Sequence, residues 1–319
     1  MTAFSHHFVE SNGIRMHYVE AGAGPLVVLC HGFPESWYSW RHQLVELAEA
    51  GFHAVAPDQR GYGQTEQPAA VDAYSVLHLA GDIVGLVNSL GERWATIVGH
   101  DWGAPVAWYS AQLRPDLFRA VGLLSVPYIP RGPMRPSTLV KAVFSGKTFY
   151  QEYFQQEGRA ERELERDVRA SLLATFYSLS GDAPPKDRWR YAFGTNETFL
   201  DSVVVPRTLP SWLTEADLEF FTAEFKRSGF RGGLNWYRNI DRAWELTAFL
   251  EGAKLAQPTL FIAGENDAVI EFYADACQAL KTNAPNLTGQ VGLPGAGHWI
   301  QQERPAEVNR LLIDFLRRV

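Results

Sequence analysis

Residues 95–108 read ATIVGHDWGAPVAW: a short apolar run, then Gly99-His100-Asp101-Trp102-Gly103, then a segment with helix-like spacing. A chain that leaves a strand and enters a helix within a few residues turns so sharply that its own backbones meet. Glycine two positions before and two positions after the apex answers that crowding, because it carries no Cβ. Asp101 is left at the tip, strained and exposed, which is where a nucleophile would be presented.

The rest of the chain fits a strand-turn-helix unit repeated around that point. GIRMHYVE alternates apolar and polar residues, and PLVVLC and HAVAPD are short apolar runs bounded by turn residues, as strands are. Residues 76–90 place Val76, Leu79, Ile83, Leu86, Val87 and Leu90 at steps of three and four, one buried helix face. Strand AVGLLSV follows, and near the end come strand TLFIAG, a helix around 270–282, strand TGQVGL and a helix after Pro305 with a stripe of Val308, Leu311, Leu312, Phe315 and Leu316. Strands alternating with helices predict a mostly parallel sheet covered on both faces. The alternation fails between about 129 and 243, where Pro-rich VPYIPRGPMRP leads into helical segments without a convincing buried strand. The expected organisation is therefore a core over 1–128 and 244–319 interrupted by a helical cap over 129–243. The charged run AERELERDVRA in the cap reads as a solvated helix face.

Composition excludes several classes. With 29 Lys and Arg against 36 Asp and Glu, the net charge of −7 gives no field that would draw the chain to nucleic acid or anionic lipid. No window approaches the ~18 apolar residues of a membrane span, and the amino terminus lacks a signal-peptide core. Cys30 and Cys277 have no metal-ligand spacing and read as buried free thiols of a cytoplasmic protein. No metal or organic cofactor is implied, and the number of subunits is not readable.

Three further sites join Asp101. CHGFPESW follows an apolar strand early in the chain, where a loop could supply the backbone N–H of Phe33 to an oxyanion hole, the second donor being the N–H of Trp102. His31, Gly32 and His100 read as shaping residues. FIAGENDAVI puts Asp267 just after a strand, with Glu265 as its nearest competitor, and LPGAGHWIQQERP puts His298 in the loop after the next strand. The order nucleophile, acid, histidine, all at the carboxyl ends of parallel strands, is that of the α/β-hydrolase fold. A carboxylate nucleophile, ionised near neutral pH, can displace a leaving group from sp3 carbon, after which water activated by His298 cleaves the ester. A halide or an epoxide oxygen would suit. Epoxide opening needs a proton donor, and the cap offers phenols in FYQEYFQQEG and RGGLNWYRNI. Tyr153 and Tyr237 are the candidate donors, and spacing alone does not choose between Tyr150 and Tyr153.

With these segments in place, the chain from about residue 8 onward resembles the soluble epoxide hydrolases of the α/β-hydrolase superfamily. The likeness rests on HGFPESWYSWR, GHDWG, YFQ, FKRSGFRGGLNWYRN and GHWIQQERPAEVN. It implies Asp101 as nucleophile, His298 and Asp267 as the water-activating pair, Tyr153 and Tyr237 as phenols that polarise the epoxide, and Phe33 and Trp102 as oxyanion donors and substrate contacts. It also implies a cis bond at Phe33-Pro34, a small apolar epoxide and water as the reacting partners, and a role in detoxification. The vertebrate enzyme carries an extra amino-terminal phosphatase domain for which this chain has no room. Two other readings compete. A haloalkane or haloacid dehalogenase would share the elbow Asp, but the Phe33 side chain cannot donate to a halide. A ligand receptor on the same fold would not need the full catalytic set.

Overall fold

The computed structural model describes residues 4–319. Eight strands form one sheet: β1 Ser5–Ser11, β2 Ile14–Ala21, β3 Leu26–Cys30, β4 His53–Pro57, β5 Ala95–His100, β6 Phe118–Leu124, and, after two short strands introduced below, β9 Thr259–Gly264 and β10 Leu287–Leu293. Their order across the sheet is β1-β2-β4-β3-β5-β6-β9-β10. β2 runs antiparallel to both its neighbours, and every other pairing is parallel. This is the mostly parallel α/β-hydrolase sheet that the sequence predicts. The hairpin strand β1 went unread, because its residues are largely exposed on the sheet edge and carry no apolar alternation.

β3, β5 and β9 are buried at every residue, which is why they read as unbroken apolar runs. Along β3 the side chains part: Leu26, Val28 and Cys30 enter one core, and Val27 and Leu29 the other. The first core is closed by the helices Val76–Ser89 and Gly103–Leu113, the second by Arg41–Glu49 and Pro305–Leu316. The expected helix around 270–282 is two, Ala268–Phe272 and Ala274–Asn283, broken at Tyr273.

Between β6 and β9 the chain is mainly helical, with one antiparallel pair, β7 Thr148–Phe149 and β8 Ala192–Phe193. Two residues per strand are too few to leave a period in the sequence. The charged run is in part the expected solvated face, with Arg162, Glu165, Arg166 and Asp167 exposed and Leu164 and Val168 buried, but it also makes tertiary contacts. Glu161 is buried and pairs with Arg238 at 2.7 Å, and Glu165 accepts the Phe230 N–H at 3.0 Å. Among the described residues no helix is long and apolar enough to cross a membrane.

Candidate active site

Asp101 follows the last residue of β5 and has φ of +49°, a left-handed conformation that a non-glycine residue adopts only when its surroundings impose it. They do. A Cβ on Gly99 would overlap the Gly103 carbonyl, and one on Gly103 would overlap the Cys30 carbonyl of the neighbouring strand. The glycines let β5, the turn and the helix Gly103–Leu113 close on one another, and the apex is forced outward. Asp101 Oδ1 accepts the Phe33 N–H at 2.8 Å. Trp102 sits at the N-cap of that helix, where its own N–H has no intrahelical partner and is free for an oxyanion. The Phe33-Pro34 bond is cis.

His298 lies in the loop after β10. Its Nδ1 is 2.9 Å from Asp267 Oδ2, and its Nε2 is 3.4 Å from Asp101 Oδ2. Burial on its own would lower the imidazole, but the carboxylates of Asp267 and Asp101 outweigh it and raise the pKa well above the ordinary value. Burial pushes Asp101 the other way, towards protonation, and His298 and the Phe33 N–H reverse this, so Asp101 stays below its ordinary value and ionised. Asp267 also accepts the Val269 N–H at 2.8 Å, which caps the following helix and fixes the carboxylate. Glu265, the competing acid in sequence, is exposed.

Two carboxylates that motif reading passed over hold this loop. Glu303 receives the N–H groups of Gly181 and Gly297 at 2.8 Å on Oε2 and that of Trp299 at 2.9 Å on Oε1. Glu35 is fully buried and receives the Gly32 N–H, the amides of Gln301 and Gln302, and His100 Nδ1 at 2.7 Å. Burial would raise the Glu35 carboxyl, and the contact with His100 holds it below its ordinary value instead. His100 Nε2 and Ser125 Oγ then donate to the His298 carbonyl at 2.8 and 2.7 Å. His31 is neutral and structural: its Nε2 accepts the Gln59 N–H at 3.1 Å, and burial lowers its pKa. The signal for Glu35 and Glu303 was their place inside the motifs HGFPESW and GHWIQQERP, two residues after Phe33 and five after His298, where a carboxylate can cap its loop.

The cap tyrosines divide. Tyr237 packs edge-on against the rings of Trp102 at 5.0 Å and Phe33 at 5.4 Å between centroids. Tyr150 stands 5.8 Å from Tyr237 and lines the same cavity as Asp101. Burial raises both phenols far above their ordinary value, and the Asp101 charge adds to it, so both stay protonated. Tyr153 does not join them. It gives its hydroxyl to Glu163 Oε2 at 2.7 Å, and Arg159 lies over its ring at 4.0 Å. Three residues, about 4.5 Å of helical rise, separate Tyr150 from Tyr153; both are withdrawn from the surface, and only Tyr150 lines the cavity. Gln151 Nε2 donates to the Tyr150 oxygen at 3.1 Å, which occupies a lone pair and leaves the phenolic proton to point elsewhere.

Asp101, Trp102 and Tyr150 border a cavity of about 320 Å3 whose walls are largely apolar. A pocket of this kind suits a small apolar ligand with a few convergent polar groups.

The model of the alpha/beta hydrolase fold family matches residues 25–305. Epoxide hydrolase A of Mycobacterium tuberculosis is 43% identical over 99% of this chain and 98% of the relative. The solved structure of an epoxide hydrolase from an endophytic Streptomyces superposes with a TM-score of 0.96 at 51% identity, covering 98% of this chain and 95% of that one. The bifunctional epoxide hydrolase 2 of Sus scrofa is 39% identical over 99% of this chain but only 56% of its own length. The chain belongs to the epoxide hydrolases of the α/β-hydrolase fold family.

Proposed function

We propose that this chain converts an epoxide and water to a vicinal diol through an ester formed on Asp101. The observation that carries the proposal is the ionised Asp101 carboxylate on one side of an apolar cavity, with the protonated phenols of Tyr150 and Tyr237 close by. Oδ1 is engaged by Phe33, which leaves Oδ2 to attack a ring carbon. The carbon–oxygen bond of the ring breaks as the new ester bond forms, and a phenol gives its proton to the departing oxygen. In this assignment Tyr150 takes the part that the resemblance gave to Tyr153, because the Tyr153 hydroxyl is committed to Glu163.

Alkylation removes the negative charge from Asp101, so His298 loses one of the two carboxylates that favour its protonated form. The imidazole then releases its proton to solvent, to regain one when the Asp101 carboxylate is restored, and in its neutral form takes a proton from water while the hydroxide adds to the Asp101 carbonyl carbon. The tetrahedral oxyanion is held by the N–H groups of Phe33 and Trp102. Collapse releases the diol oxygen, which takes the proton from His298, and the proton of the regenerated carboxyl restores the phenol. Asp267 orients the ring and stabilises its protonated form, as in other acid–histidine pairs.

The cap over 129–243 supplies both phenols and the outer wall of the cavity, and the core supplies the nucleophile and the base. Two free thiols, Cys30 and Cys277, fit a reducing cytoplasm, and an apolar cavity fits the clearance of apolar epoxides. His298→Gln tests the scheme. It is expected to open one epoxide per site and stall, with intact-protein mass spectrometry showing a substrate adduct that maps to Asp101. Full epoxide binding with an unmodified Asp101 would refute the ester.

A further inference from the structure

Asp217 of the cap and Arg41 of the core form an ion pair, Oδ1 to Nε at 3.1 Å, with both side chains only 9% exposed. Asp217 lies in the first turn of the helix Glu215–Ser228, where Thr214 donates its N–H and its hydroxyl to Oδ2 at 3.0 and 2.6 Å. Burial would raise the Asp217 carboxyl, and the Thr214 and Arg41 contacts hold it below its ordinary value, so it is ionised. Oδ1 also accepts the Tyr38 hydroxyl at 3.0 Å.

Arg41 opens the helix Arg41–Glu49 and uses two edges of its guanidinium. Nε faces Asp217, while Nη1 donates to Gln302 Oε1 at 2.7 Å and to the Tyr38 carbonyl at 3.2 Å. A guanidinium only donates, so Gln302 can meet it only with its amide oxygen. Gln302 Nε2 is thereby turned to Glu35, and it donates to Oε1 at 3.1 Å. The other Glu35 oxygen takes His100 Nδ1, and His100 Nε2 donates to the His298 carbonyl. Gln302 itself belongs to the short helix Ile300–Glu303 that follows His298. The cap does not need the ion pair to stay seated. Tyr38 stacks on Phe220 at 4.0 Å, and Trp37 and Phe221 extend this aromatic contact between the same two segments. Burying charges beside it costs desolvation that apolar side chains of like size would avoid, which points to a role other than fastening.

We infer that Asp217 and Arg41 are positioning residues for His298: the cap carboxylate aims the guanidinium, the guanidinium orients Gln302, and Gln302 and Glu35 set the loop that carries the base. The two half-reactions then depend unequally on this pair. Alkylation relies on Asp101 and the phenols, and Asp217, Arg41 and Gln302 hydrogen-bond to none of the three. Ester hydrolysis relies on where the imidazole stands. The inference rests on the ester mechanism proposed above and adds the residues that place its base. A pair that only fastened the cap would disturb both steps together, because a loosened cap also displaces Tyr150 and Tyr237.

Single turnovers of styrene oxide by the whole chain, quenched at intervals and read by intact-protein mass, give the rates of adduct formation and adduct decay separately. Asp217→Asn, Arg41→Lys and Gln302→Met are each expected to slow decay roughly 2- to 30-fold, the range for side chains that act through others, with formation close to wild type. Arg41→Lys keeps the charge, but its one nitrogen cannot face Asp217 and Gln302 together. The double variant Asp217→Asn with Gln302→Met should decay no more slowly than the slower single variant, because both cut the same chain of contacts. Tyr38→Phe takes from Asp217 a donor outside that chain and should leave decay close to wild type. If Asp217→Asn does not fold, Arg41→Lys and Gln302→Met decide, since both leave the capping carboxylate in place. Decay at the wild-type rate in the single variants, equal losses in both steps, additive losses in the double variant, or slowed decay in Tyr38→Phe overturns the inference. Absence of any adduct and any diol in the wild type would instead defeat the ester reading, and the inference with it.

Discussion

Nε2 of His298 stands 3.4 Å from Oδ2 of Asp101 while Nδ1 is held by Asp267 at 2.9 Å, so the resting imidazole is gripped between two carboxylates. Burial disfavours the charged ring, and the two carboxylates overcome it. A raised folded-state pKa means the ion pair stabilises the fold fully below about 6.5, the ordinary histidine value, and loses that contribution as pH rises through the raised value. Asp101→Asn should therefore lower the His298 titration measured by NMR and flatten the stability curve on its alkaline side. For the same reason the acidic limb of ester hydrolysis should fall at lower pH than the titration of His298 in the free enzyme. An unmoved titration in Asp101→Asn would show that Asp101 is not what raises the ring.

Tyr150→Phe and Tyr237→Phe each remove a donor to one developing oxyanion. By the range for such donors, about 2.7–4 kcal/mol, each should slow pre-steady-state alkylation roughly 100- to 1,000-fold, and the double variant should nearly eliminate it. Tyr153→Phe removes a hydrogen bond to Glu163 instead. It should leave alkylation close to wild type and cost about 1–3 kcal/mol of stability in urea unfolding. Damage to alkylation from Tyr153→Phe with Tyr150→Phe silent would reverse the assignment.

The positions of Asp101, Asp267 and His298, the proposed nucleophile, acid and base, are legible because local rules govern them. Two glycines flank Asp101, and apolar runs end just before Asp267 and His298, so strand ends alone gather the three. Tyr150 and Tyr153 were not separable by local rules. Both are phenols about one turn apart, and Tyr153 is drawn away from the cavity by Glu163 and Arg159, partners brought from the next helix by tertiary packing. Glu163 also sits in a run that is largely a solvent-facing helix, and its hydrogen bond to Tyr153 becomes visible only once the cap is folded. β1 escaped notice because an edge strand can be built from exposed residues, here Ser5 and His6, with hydrogen bonds in place of an apolar pattern.

Glu303 ties the His298 loop to the cap through three backbone N–H groups. Glu303→Ala leaves buried donors unpaired, at about 1–3 kcal/mol each where water cannot reach them. The expected result is a lower unfolding midpoint together with slower ester hydrolysis, while alkylation changes less, because the loop positions the base rather than the nucleophile. Equal losses in both steps would show a general effect on the fold.

Gly103→Ala sets a Cβ against the Cys30 carbonyl on β3, whereas Gly132→Ala meets nothing within 4 Å. Overpacking of this kind costs about 1–3 kcal/mol, and more where only backbone can yield. Urea unfolding should show Gly103→Ala clearly destabilised, with ester formation impaired because Asp101 is displaced, and Gly132→Ala within about 0.5 kcal/mol of wild type. Equal stability of the two would mean that the tight turn is not what presents Asp101.

The claim at the centre of this account is that water attacks the Asp101 carbonyl carbon and never the epoxide. Single-turnover reaction in 18O-labelled water, with enzyme in excess, decides it. The account predicts an unlabelled diol and one labelled oxygen in the carboxylate of the peptide containing Asp101. A diol carrying the label, with Asp101 unlabelled, would show direct attack of water on the ring and contradict the ester.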